Sequence, residues 1–103
     1  MLRFAAAVAA ITGLTAAVAS SVTVRQLNHL FDPTQLSIKR GTTVHFTNDE
    51  NVVHHAYAEG PFAFDSGDIP PGGDFAVAFD KSGHVVVRCA IHPQMRIDID
   101  VAE

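Results

Sequence analysis

From Val22 onward, apolar and polar side chains alternate in short runs. Val22-Thr23-Val24-Arg25-Gln26-Leu27 opens the series. Gln35-Leu36-Ser37-Ile38, Thr42-Thr43-Val44-His45-Phe46-Thr47, Phe75-Ala76-Val77-Ala78-Phe79, His84-Val85-Val86-Val87-Arg88-Cys89 and Arg96-Ile97-Asp98-Ile99-Asp100-Val101 continue it. A period of two, rich in β-branched and aromatic residues, predicts strands with one face buried. Val53 to Ala58 and Phe62 to Phe64 are weaker strand candidates. Turn formers separate the runs at Phe31-Asp32-Pro33, Lys39-Arg40-Gly41, Asn48 to Asn51 and Asp80 to Gly83. The densest turn-forming stretch runs from Asp65 to Asp74 and predicts a long connection. No segment after residue 19 carries a helical period, and there is no internal repeat or linker. The pattern predicts one all-β domain, an antiparallel sandwich or barrel.

The first residues follow a different rule. Met1-Leu2-Arg3 carries one positive charge, Phe4 to Val18 is apolar and Ala-rich, and Ala17-Val18-Ala19 is a small-residue cleavage pattern. This predicts a signal peptide over residues 1–19, cut after Ala19, and an exported, periplasmic product. An uncleaved anchor is the alternative, but the stretch is short for a span of roughly 20 apolar residues. The domain then covers residues 20–103, and no membrane span is expected once the leader is gone. Part of the 48% hydrophobic content belongs to the leader and should not be read as core. Loss of Arg3 leaves six basic residues against eleven acidic ones. Such an acidic surface argues against nucleic acid and anionic lipid, and favours a basic or apolar partner.

An exported domain of this size often leans on disulfides or a metal. Cys89 is the single cysteine, so no disulfide can form within the chain. It opens the segment Cys89-Ala90-Ile91-His92-Pro93-Gln94-Met95, which puts a thiolate, an imidazole and a thioether within seven residues. Cys89 ends one predicted strand and Met95 begins the next, so one short loop offers three donors. A second imidazole is available from His54-His55, after the polar turn at Asn48 to Asn51. Two His, one Cys and a weak Met are the donors of a blue-copper centre. Neighbours on a strand face opposite sides, so only one of His54 and His55 can face inward.

These motifs resemble the small cupredoxins of the plastocyanin and amicyanin kind. Cys89-x-x-His92-x-x-Met95 has the short ligand-loop spacing of amicyanin. Asn48 falls six residues before His54, as an Asn precedes the first ligand in that family. Asp65-Ser66-Gly67, the Pro-Gly turn, Phe75-Ala76-Val77 and Gly83 follow the same layout, and the likeness spans Ser20 to Glu103. The resemblance implies a Greek-key β-sandwich holding one type 1 copper. His54, Cys89 and His92 would be its equatorial ligands and Met95 its axial one. It also implies an electron exit at His92 within an apolar patch, for which Ile91, Pro93, Pro70, Pro71 and Phe62 are candidates. The family usually carries Asn after the first ligand, where this chain has His55. A His-His pair followed by Ala-Tyr is also seen in plastocyanin-like proteins grouped with methylamine utilisation.

Taken singly, a strand-end Cys, a Met or a loop His is more often core or surface than ligand. Their joint spacing carries the metal reading. His29, His45 and His84 belong to no motif and are expected at surface or satisfied positions, with His45 facing solvent; a secondary metal contact is the alternative for His29, on its chemistry alone. Asp65, Asp68 and Asp74 suit turns rather than calcium. A Cys–His nucleophile pair needs an orienting third group and a cleft, so no enzyme is expected. Two functions remain. One is a monomeric one-electron carrier acting with redox partners; the other is copper binding for tolerance or delivery.

Overall fold

The computed structural model describes residues 20–103. The leader expected over residues 1–19 lies outside the described residues. Nine strands follow one another: β1 (Ser21–Leu27), β2 (Leu30–Asp32), β3 (Gln35–Lys39), β4 (Thr42–Asn48), β5 (His54–Ala58), β6 (Phe64–Ile69), β7 (Asp74–Phe79), β8 (Gly83–Arg88) and β9 (Arg96–Ala102). They form two sheets, ordered β2-β1-β4-β7 and β3-β9-β8-β5-β6. The predicted all-β sandwich is the observed architecture. Most neighbouring strands are antiparallel, but β1 runs parallel to β4 and β3 runs parallel to β9.

Alternation places the core. In β4 every second residue is buried, from Thr42 through Val44 and Phe46 to Asn48. In β9 the buried residues are Ile97, Ile99 and Val101. Val24, Phe31, Phe79, Val87, Cys89 and Met95 join them between the sheets. Burying side chains of this kind contributes about 1.5–3 kcal/mol each, so the sandwich rests on this layer.

Two elements depart from the pattern. Phe31 was expected in a turn, yet it is the buried centre of β2, and the chain reverses earlier, at Asn28-His29. Both residues have positive φ, 55° and 57°, as a two-residue type I′ hairpin turn requires. The turn-rich stretch after Phe64 forms β6, an edge strand with a register shift against β5. Gly67 takes a left-handed φ of 66°, and Ser66 Oγ accepts from the Ala56 N–H, replacing ladder bonds that a regular strand would make.

Four connections gather at one end of the sandwich. The Asn48 side-chain amide donates to the carbonyls of Val52 (2.7 Å) and Ile69 (2.9 Å), tying the β4–β5 and β6–β7 connections together. The His29 N–H donates to Glu50 Oε1 (3.0 Å), which adds the β1–β2 turn. The β8–β9 loop completes the set, since the His29 and His92 rings meet there. Phe62 lies elsewhere. It stacks on Phe79 and borders a small pocket with Lys81, Ser82 and Gly83 at the β7–β8 turn. That is the start of β8, whereas Cys89 follows its end, so Phe62 belongs to no patch around His92. Among the described residues no helix is long and apolar enough to cross a membrane.

Candidate metal centre

Three donors meet at the loop end. Atoms of His54, Cys89 and His92 that could bind a metal lie within 4.8 Å of one another. His54 begins β5 and is fully buried. Cys89 follows β8 and is 1% exposed. His92, in the middle of the loop, is half-buried. Backbone bonds close that loop: Met95 N–H donates to the His92 carbonyl (2.9 Å) and Cys89 N–H to the Met95 carbonyl (3.4 Å). Met95 is fully buried where the loop returns to β9.

The geometry suits a metal. Cys89 Sγ is 3.8 Å from His92 Nδ1. With zinc-like bonds of about 2.3 Å to sulfur and 2.0 Å to nitrogen, donors 120° apart would be separated by about 3.7 Å. His54 Nε2 bonds Glu50 Oε1 at 2.7 Å, while its Nδ1 is buried with no hydrogen-bond partner. A carboxylate on one ring nitrogen fixes the tautomer and leaves the other nitrogen as a lone pair. A buried orphan nitrogen of that kind is costly unless something binds it.

The electrostatics work in the same direction. Burial, followed by the neighbouring His29 and His54, holds His92 below the ordinary imidazole pKa. A metal needs that neutral form. Burial pushes Glu50 up, but bonds from the His29 N–H and the His54 ring outweigh it, so its pKa lies below the usual carboxylate value. Glu50 therefore stays ionised as the anchor of His54.

His54 joins the cluster and His55 does not. The His55 ring turns to the other face and bonds Asp65 Oδ1 at 2.6 Å. Its carbonyl accepts from Gln26 Nε2 (3.2 Å), so Gln26 and Asn48 tie the surrounding strands together. His45 and His84 are far from the cluster and pair with Asp74 and with Asp98 and Asp100. His29 is partly exposed, as expected, and it also borders the cluster. Its ring packs edge-on against His92, with centroids 4.5 Å apart, and stands 5.8 Å from that of His54. Sequence reasoning missed Glu50 and Gln26. Glu50 stands four residues before His54, and Gln26 is a polar residue on the inward-facing positions of β1.

No family model matches the chain. Methylamine utilization protein MauL of Methylorubrum extorquens is 33% identical over 73 residues, covering 65% of this chain; the chain spans 60% of the length of that relative. A copper-containing nitrite reductase from Thermus scotoductus superposes with a TM-score of 0.77 at 32% identity, over 88% of this chain but only 24% of the reductase. An oxidised amicyanin variant gives 0.75 at 21% identity, over 80% of this chain and 82% of its own. A purple cupredoxin from Nitrosopumilus maritimus gives 0.70 at 23%, over 79% and 99%. The chain therefore has the cupredoxin fold, which it shares with amicyanin, and its buried His54–Cys89–His92 cluster fits a single type 1 copper ion.

Proposed function

We propose that this protein is an exported one-electron carrier whose copper would be held by His54, Cys89, His92 and Met95. When bound, the copper would supply a Cu(II)/Cu(I) couple tuned by the weak thioether donor of Met95. The observation that carries the reading is the buried three-donor cluster with an orphaned His54 Nδ1. The chain's own residues make the couple fast. His54 is fixed by Glu50, Cys89 by the core, and the loop by its two backbone bonds, so little has to move when an electron arrives.

His92 serves as the edge through which electrons pass to redox partners. Ile91 beside it is 45% exposed, and Leu30, Val52 and Val53 are exposed on the adjoining connections. With Pro93, Pro70 and Pro71 they offer an apolar rim of the kind that supports weak, short-lived redox encounters. The leader over residues 1–19 supports export and the domain over residues 20–103 acts as a monomer. The nitrite reductase likeness concerns 24% of that enzyme and carries no catalysis to this chain. We read the protein as a carrier and not as an enzyme. Its likeness to amicyanin favours a carrier over a copper-tolerance or delivery protein.

Copper loading followed by protein-film voltammetry tests this. One intense visible band and one reversible wave per chain are expected, and Cys89→Ser should lose both. A coloured Cys89→Ser protein would refute the ligand assignment. A coloured wild type with no reversible wave would turn the reading to copper handling.

A further inference from the structure

His29 belongs to no motif, lies outside the four-donor set and sits on a different connection. Yet its ring closes a cluster of three. Its centroid lies 4.5 Å from that of His92 with the planes at 86°, and 5.8 Å from that of His54 at 85°. The His54 and His92 rings are themselves 4.9 Å apart. Edge-to-face packing at these distances is a preferred arrangement for ring pairs. The backbone of His29 is tied as well. Its N–H donates to Glu50 Oε1, the oxygen that also bonds His54 Nε2. Its own Nδ1 lies 3.7 Å from Glu50 Oε2. One carboxylate thus joins the β1–β2 turn to the start of β5, and the His29 ring carries that tie onto the β8–β9 loop.

The turn itself does not call for histidine. His29 has φ 57° in a type I′ turn, a conformation glycine adopts freely and an L-residue adopts at a cost. His92 needs outside support. It sits in a loop whose backbone bonds engage Cys89, Met95 and its own carbonyl but not its ring.

We propose that His29 is a positioning residue of the metal centre: packed edge-on against the His92 ring and anchored through Glu50, it holds that ring in place for copper in both oxidation states. This rests on the copper reading of His54, Cys89 and His92. It assigns His29 no bond to the metal.

The test compares wild type with His29→Gly, which removes the ring and relaxes the turn, and His29→Phe, which restores a ring without nitrogens. The glycine protein should melt no lower than wild type as apo-protein. It should still bind one copper with its coloured band. Transfer of Cu(I) to a chelator should become about tenfold faster and electron self-exchange about tenfold slower, as expected when a ligand gains freedom in one oxidation state. The phenylalanine protein should recover most of both rates. Wild-type rates in the glycine protein, or no recovery with phenylalanine, would overturn the proposal. Ring resonances of His92 in the apo-proteins need no metal. They should be sharp in wild type and motionally averaged in the glycine protein, and equal sharpness in both would also overturn it. A wild type that takes up no coloured copper, while His92 still loses order in His29→Gly, would count against the copper reading alone.

Discussion

Six histidines share one chemistry in this chain but fall into two groups. His29, His54 and His92 crowd together at the loop end, ring against ring, with one carboxylate, Glu50, serving two of them. His45, His55 and His84 lie on the outer strand faces, each matched to its own aspartates across a strand pair: His45 with Asp74, His55 with Asp65, His84 with Asp100 and Asp98. Each of the outer three has a ring nitrogen bonded to an acid, and His84 has both. Among the described residues, only the loop end leaves a buried ring nitrogen without a partner, on His54, beside a thiol. Scarcity of partners, more than the number of donors, marks the place where a metal belongs.

The sharpest way to break this contrast is to exchange loss between the two neighbours His54 and His55. His54→Ala should abolish the coloured site outright, whereas His55→Ala should keep it with a changed spectrum or stability. Optical titration with copper decides it, and retention of the band in His54→Ala would erase the distinction. Removing the metal comes next. A ligand bound only to the native state stabilises by about 4 kcal/mol when its free concentration is a thousandfold above Kd. For a domain of this size that is on the order of 20 °C in Tm. Calorimetry of apo and copper-loaded protein should show a gap of that order; equal melting would mean that the loop end needs no metal.

Met95 gives a smaller effect on the same side of the contrast. Met95→Leu should keep the colour and raise the reduction potential, because Cu(II) loses a donor it needs more than Cu(I) does. Met95→Gln should lower it through a harder oxygen donor. A tenfold change in relative affinity for the two oxidation states is about 60 mV for one electron, the scale expected in voltammetry. The opposite order would remove Met95 from the ligand set.

The outer group yields the smallest effect. Hydrogen bonds to Asp100 and then Asp98 raise the His84 pKa above its usual value. Stability gained from this pairing is fully present below the ordinary imidazole pKa, near 6.5, and is lost as pH rises through the raised folded value. His84→Asn should therefore flatten the small fall in apo-protein Tm between pH 5.5 and pH 8. His84 is exposed, so screening keeps the effect slight. An unchanged pH profile would show that the outer pairs do not contribute.

Local pattern made much of this legible. Period-two alternation marks β1, β3, β4, β7, β8 and β9, because each buries one face. The Cys89–Met95 segment could be read because its donors are neighbours in sequence. What escaped is what depends on distant partners. β6 hides among turn formers because Ser66 and Gly67 replace regular ladder contacts with a side-chain bond and a left-handed residue. Phe62 looked like patch material until its stacking on Phe79 placed it at the far end. His29 looked like an ordinary surface histidine because its anchor, Glu50, is 21 residues away and its ring partner lies on another sheet connection.

The parallel pairing of β3 with β9 bears on the order in which the molecule comes together. Gln35 stands opposite Asp98, and Lys39 opposite Ala102, so this seam joins segments more than half the domain apart. Closing so long a loop carries an entropic penalty before any contact repays it, which slows folding. The donor loop is strung between β8 and β9, and β9 has to dock against both β8 and β3. Cys89 follows β8, which pairs with β5 directly, whereas Met95 stands immediately before β9. A copper site that includes Met95 would therefore be complete only in chains whose last strand is docked.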